Sequence, residues 1–167
     1  MSAELDFKFK IKIYYEDTDS GGVVYYANYL KFLERARTEM ISSVGLSNKK
    51  LLDDYETLII VKSCKIEYKK PIKLEDEIIV KSKIKSVSRS SFIMEQIIEK
   101  DGILTSEAEI VLVTVNKSGK PVKIPDILEK YLMYLQKQNM CDKSLNHLLL
   151  RLISTLLMLE IFNPSKA

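Results

Sequence analysis

From residue 7 the chain alternates strictly, with Phe7, Phe9, Ile11 and Ile13 in one phase and Lys8, Lys10 and Lys12 in the other. A period of two predicts a strand over 7–15 with one buried and one wet face. The lysine row reads as a solvated face, with attraction of an anionic ligand as the second reading. Asp17 through Gly22 then breaks the pattern with turn formers. From 27 to 44 the period changes. Tyr29, Phe32, Leu33, Ala36, Met40 and Val44 recur at three- and four-residue steps, while Lys31, Arg35, Thr38 and Ser42 fall on the opposite side. That is an amphipathic helix, with Gly45 placed as its C-terminal stop.

After a polar connector the pattern returns to strands, with no other strong helix expected before about residue 125. Strands are predicted over 58–68, 77–87, 91–99 and 104–115, and Asp101-Gly102 is a hairpin signal between the last two. In the second of these Ile78, Val80 and Ile84 point inward and Lys81, Lys83 and Lys85 outward. In the last, Ala108, Ile110 and Leu112 oppose Glu107 and Glu109. Short connections favour antiparallel pairing. A strand, one long helix and four more strands pack most economically as a central helix wrapped by a curved antiparallel sheet, an α+β architecture.

The end of the chain differs. Ile124-Pro125-Asp126 opens a short helix through about residue 136, and 137–144 read as a polar linker. Residues 145–162 are apolar on most sides, with a narrow polar line at His147, Arg151 and Ser154. This divides the chain into a main domain, 1–136, and a C-terminal linker and helical extension, 137–167. The last segment is short for a membrane span, and Arg151 and Glu160 would each cost about 2.5–3.5 kcal/mol near mid-membrane. Packing on the domain or on a partner subunit is the first expectation, contact with a membrane surface the second.

Composition narrows the function classes. A 167-residue chain with 46% hydrophobic and 29% charged residues is expected to be one globular domain with a real core. A net charge of +3 spread over scattered lysines argues against nucleic acid and leaves anionic small molecules open as partners. Cys64 and Cys141 form no CxxC pair, and the N-terminus carries no apolar signal-peptide core, so a reducing cytoplasm is expected. The single histidine, His147, lies in the tail, which excludes histidine chemistry in the main body of one chain.

The join between the first strand and the helix carries the candidate chemistry. Asp19 can act as general base toward water or as nucleophile. Free N–H groups at the helix start, around residues 24–27, can stabilise an oxyanion, and Gly21 and Gly22 remove Cβ atoms where a ligand must approach the backbone. Such a site suits attack on an activated carbonyl. Equally, Asp17, Thr18 and Asp19 can simply form an Asx turn and cap the helix, and the residues by themselves leave both readings open.

The run Y-x-D-T-D-x-x-G-x-V-Y-x-x-x-Y, followed by E-R-A-R, occupies Tyr15 to Arg37. It resembles the YbgC-type acyl-CoA thioesterases of the 4-hydroxybenzoyl-CoA thioesterase branch of the hotdog fold, over about residues 7–135. The resemblance implies hydrolysis of an acyl thioester to free acid and thiol, with Asp19 as the catalytic carboxylate and no metal or organic cofactor. It implies that the backbone N–H of Tyr26 polarises the carbonyl, with Gly22 or Val24 as a second contact and Tyr25 among the substrate-binding residues. It further implies a homodimer or homotetramer with active sites between subunits, and a CoA nucleotide held by basic residues, for which Arg89 is the candidate. Many relatives of this type carry histidine at the Tyr26 position, so no imidazole role transfers. Acyl carrier protein shares the phosphopantetheine arm and stays open as the carrier. A helix-borne carboxylate, Glu34 or Glu39, is a competing catalytic layout. A non-catalytic acyl- or carrier-protein-binding module is the reading from another class. A histidine-dependent dehydratase is disfavoured, because the body lacks a histidine.

Overall fold

The computed structural model describes residues 7–140. The apolar segment predicted at 145–162 therefore lies outside the described residues. Five strands, β1 (Phe7–Lys12), β2 (Leu58–Tyr68), β3 (Glu77–Val87), β4 (Ser91–Lys100) and β5 (Ile103–Val115), form one antiparallel sheet in the order β1-β3-β4-β5-β2. Helix α1 (Asn28–Ser42) lies in its concavity, followed by α2 (Asn48–Tyr55) and, after the sheet, α3 (Asp126–Met140).

The predicted faces govern this packing. Phe32, Leu33, Ala36 and Met40 of α1 are buried against the inward residues of the sheet, among them Ile78, Val80, Ile84, Met94, Ile98 and Ile110. The helix ends where expected, with Gly45 at φ +73° just beyond it. Helix α3 adds Leu128 and Leu132 to the same core, and its Tyr131 hydroxyl donates to the Met40 carbonyl at 3.1 Å.

The structure differs from the sequence reading in four places. The first strand ends at Lys12 rather than residue 15, because the chain leaves the sheet for a single 3₁₀ turn at Tyr15–Asp17. The connector after α1 contains α2, whose N-terminus is capped by Ser47 accepting the Lys50 N–H at 3.0 Å. Helix α3 continues to Met140, past the expected end near 136. Lys81, expected on the wet face, is largely covered between neighbouring strands and ion-paired with Glu99 at 2.9 Å.

Asp76 ties the turn before β3 to the rest of the sheet. Its carboxylate accepts the Lys73 N–H at 2.8 Å and binds the Lys100 ammonium, while its carbonyl accepts the Ile13 N–H at 2.9 Å. Burial pushes its pKa up, but Lys100 and the Lys73 N–H outweigh that and hold it below the usual carboxylate value. A depressed folded pKa contributes stability that is present above the unfolded value, about 3.9, and lost as pH falls through the folded pKa. Asp76→Asn is therefore expected to lower the urea midpoint relative to the parent at pH 6, with the gap shrinking below about pH 4. A gap independent of pH would show that the Asp76 charge does not contribute.

Candidate active site

The two aspartates of D-T-D do different work. Asp17 is buried; its Oδ2 accepts the Tyr14 N–H at 3.0 Å, and its carbonyl accepts both the Tyr25 N–H and Asn28 Nδ2, each at 3.0 Å. It is a brace that fastens the end of β1 to the start of α1. Asp19 is exposed at the tip of a small hairpin closed by the Thr18–Val24 bridge.

That hairpin is built from its glycines. The Asp19 N–H donates to the Val23 carbonyl at 2.9 Å, and the Gly22 N–H returns to the Asp19 carbonyl at 3.0 Å. Gly22 sits at φ +72°, a left-handed conformation that suits glycine at the end of a tight turn. Asp19 Oδ1 accepts the Gly21 N–H at 2.8 Å, and a Cβ on Gly21 would stand only 3.1 Å from that oxygen. The second carboxylate oxygen accepts nothing from the described residues. Asp19 thus makes the Asx turn with one oxygen and leaves the other exposed, but it does not cap the helix.

The start of α1 has no side-chain cap, since Ala27 stands at the N-cap position. Of the N–H groups of residues 24–27, Val24 donates to the Ile72 carbonyl at 2.8 Å and Tyr25 to the Asp17 carbonyl. Those of Tyr26 and Ala27 donate to no acceptor among the described residues. The Gly22 and Val24 N–H groups are thus both committed within the chain, and neither is free to reach a substrate oxygen. Tyr26 keeps its N–H open, joined by its neighbour Ala27.

Tyrosines surround this turn. The exposed rings of Tyr25 and Tyr26 lie 4.6 Å apart, and a hydrogen bond with Tyr26 raises the Tyr25 hydroxyl above its ordinary pKa. Tyr29, buried on the first turn of α1, meets Tyr68 of β2 edge-on at 4.9 Å. The Tyr68 hydroxyl donates to the Tyr26 carbonyl at 3.1 Å. An open recess of about 280 Å³ beside them is lined by Val24, Tyr26, Tyr29, Tyr68, Lys70 and Pro71, among others. Lys69, also at its wall, is held by Glu67 at 2.7 Å and Glu107 at 2.9 Å, which push its pKa well above the lysine range.

The remaining candidates lie elsewhere. Glu34 is exposed, accepts the Thr38 hydroxyl at 2.8 Å and is eight residues along from Tyr26, roughly 12 Å of helix rise. Glu39 is exposed too. Arg89 is exposed in the β3–β4 turn, two residues before Ser91, which pairs with Val113 and through it with Ile60. Tyr68 is at the other end of β2, eight residues away, or roughly 25 Å. Within one chain, Arg89 and the Asp19 hairpin thus sit at opposite ends of the sheet. A further polar cluster escaped the sequence reading: buried Gln96 of β4 accepts from Arg37 Nη1 at 2.9 Å and donates to the Leu33 carbonyl at 3.1 Å and Ser82 Oγ at 2.9 Å. Burial pushes the Arg37 pKa down.

Comparison with known proteins meets this geometry. The Thioesterase-like superfamily pattern matches residues 14–132. The chain belongs to that superfamily. The acyl-CoA thioesterase YbgC of Haemophilus influenzae is 36% identical over 120 residues, which are 71% of this chain and 88% of that protein. The acyl-CoA thioester hydrolase YbgC of Escherichia coli O157:H7 is 36% identical over 121 residues, 71% of this chain and 90% of that protein. The crystal structure described as a probable thioesterase from Bartonella henselae aligns with a TM-score of 0.70 at 30% identity, covering 72% of this chain and 99% of that one. The thioesterase therefore has the hotdog fold and is a thioester hydrolase. No helix among its described residues is long and apolar enough to cross a membrane.

Proposed function

We propose that this thioesterase hydrolyses acyl-CoA at the Asp19 hairpin, releasing free acid and CoA. The observation that carries the reading is the pairing of an exposed carboxylate, half engaged with Gly21, with an uncapped helix start whose Tyr26 and Ala27 N–H groups are open. The thioester carbonyl docks against the Tyr26 N–H, where the positive end of α1 favours the developing oxyanion. Asp19 then either activates a water or attacks the carbonyl itself to form an anhydride that water cleaves. Both routes need only this carboxylate, so no metal or cofactor enters the mechanism.

The acyl-CoA substrate comes from the names of the two YbgC relatives. Gly22 serves as the turn that holds the carboxylate in place, and Tyr25 flanks the entering substrate. Arg89 meets the CoA nucleotide of a second copy. Antiparallel pairing of β2 with its own copy would reverse the strand and bring the Arg89 end of one protomer to the Tyr68 end of the other, which supports a homodimeric site. Residues 1–136 carry this chemistry.

The test is thiol release from short, long and aromatic acyl-CoAs and from acyl carrier protein thioesters. Turnover of one acyl-CoA class is expected, and its identity defines the pocket. Tight acyl-CoA binding with no release from any substrate would replace this reading with a non-catalytic binding module.

A further inference from the structure

We propose that Tyr68 is a positioning residue for the reaction, whose hydroxyl holds the Tyr26–Ala27 peptide so that the Ala27 N–H serves as a second oxyanion donor beside that of Tyr26. The proposal rests on the hydrolytic reading above and deepens it. In a trans peptide the carbonyl and the N–H point in opposite directions, and the described chain contains no cis bond. Anchoring a carbonyl therefore aims the N–H that follows it.

Two consecutive peptides are anchored in this way. The Tyr25 carbonyl accepts the Asn28 N–H at 2.9 Å, which aims the Tyr26 N–H. The Tyr26 carbonyl accepts the Tyr68 hydroxyl at 3.1 Å, which aims the Ala27 N–H. The first anchor belongs to the turn itself. The second crosses from β2, and it alone ties the Tyr26–Ala27 peptide to the sheet among the described residues. Its donor is fixed in turn by the edge-on contact of Tyr68 with buried Tyr29. The Val24 and Gly22 N–H groups are spent on Ile72 and Asp19, which leaves the Ala27 N–H as the next open donor along the chain among the described residues. Ala27, with φ −70° and ψ −23°, is in helical geometry, so its N–H points the same way as that of Asn28, toward the open end of α1.

Tyr68→Phe removes the hydroxyl and keeps the ring on Tyr29. The expected result is a kcat about five- to tenfold lower, in line with the loss of one oriented hydrogen bond, with KM within about twofold. Binding of an S-alkyl-CoA thioether, which has no carbonyl oxygen, is expected to be equal in parent and variant, and the melting temperature nearly so. Tyr68→Leu, which also loses the ring contact, should cost stability as well. An unchanged kcat in a folded Tyr68→Phe protein would overturn the proposal while leaving the thioesterase reading intact. A raised KM with weakened thioether binding would also overturn it, by making Tyr68 a substrate contact. Absence of thiol release from the parent protein would overturn both.

Discussion

Asp19→Asn is expected to reduce acyl-CoA turnover by about a thousandfold or more while leaving the protein folded. Asparagine is nearly isosteric, and its Oδ1 can still accept the Gly21 N–H that defines the turn. The hairpin, the Thr18–Val24 bridge and the open Tyr26 and Ala27 N–H groups would therefore persist. What disappears is the charge. A neutral amide neither takes a proton from water nor attacks a thioester, and losing a general base or nucleophile removes a contribution of 10² to 10⁴ or more. Substrate affinity should change little, because the proposed mechanism binds the carbonyl with main-chain donors. Thiol release, calorimetric binding of a thioether analogue and thermal unfolding measured together isolate the effect. A variant that turns over as fast as its parent would remove Asp19 from the mechanism and bring Glu34→Gln forward as the next test.

The largest expected effect on stability is away from the site. Gln96→Leu should destabilise the protein by about 2–4 kcal/mol, because Gln96 is fully buried and satisfies three groups at once: Arg37, Ser82 and the Leu33 carbonyl. Leucine fits the volume but leaves a largely buried guanidinium without its acceptor. At this chain length that corresponds to a fall in melting temperature of roughly 4–16 °C. Adding Arg37→Met should recover part of the loss, since the uncompensated cation is the main penalty. A single variant melting within two degrees of the parent would mean that the cluster contributes little to holding α1 on the sheet.

How much of this was legible beforehand follows from the range of each interaction. Alternation and helical periodicity are local, and they placed β2 and β3 to the residue and the apolar face of α1 nearly so. Helix α2 was hidden because its lysine-rich stretch has a short apolar stripe, although Ser47 three residues before Lys50 was a usable cap signal. Gln96 also left a trace: it occupies an inward phase of β4 between Met94 and Ile98, and a polar residue there demands partners. Those partners come from α1 and β3, so the pattern raises the question without answering it. The same holds for D-T-D. Spacing does not say which aspartate is buried, because Asp17 is buried by contacts to Tyr25 and Asn28 that exist only once the hairpin has closed. The Tyr68 hydroxyl reaches across 42 residues of sequence and was wholly invisible.

The two borders of the sheet are unequal, and this bears on how large an assembly can grow. β2 presents an eleven-residue border on which Ile60 and Val61 are exposed, whereas β1 offers six residues with Lys8, Lys10 and Lys12 in alternate places. In the proposed dimer, pairing of β2 with its own copy consumes both long borders in one step. What remains at either end is a short strand with lysines in alternate places, Lys10 among them ion-paired with Glu77 at 2.7 Å, an edge of the kind that resists pairing with another strand. In that proposed arrangement the short lysine-bearing border disfavours further strand addition, and with it ribbon growth toward fibres.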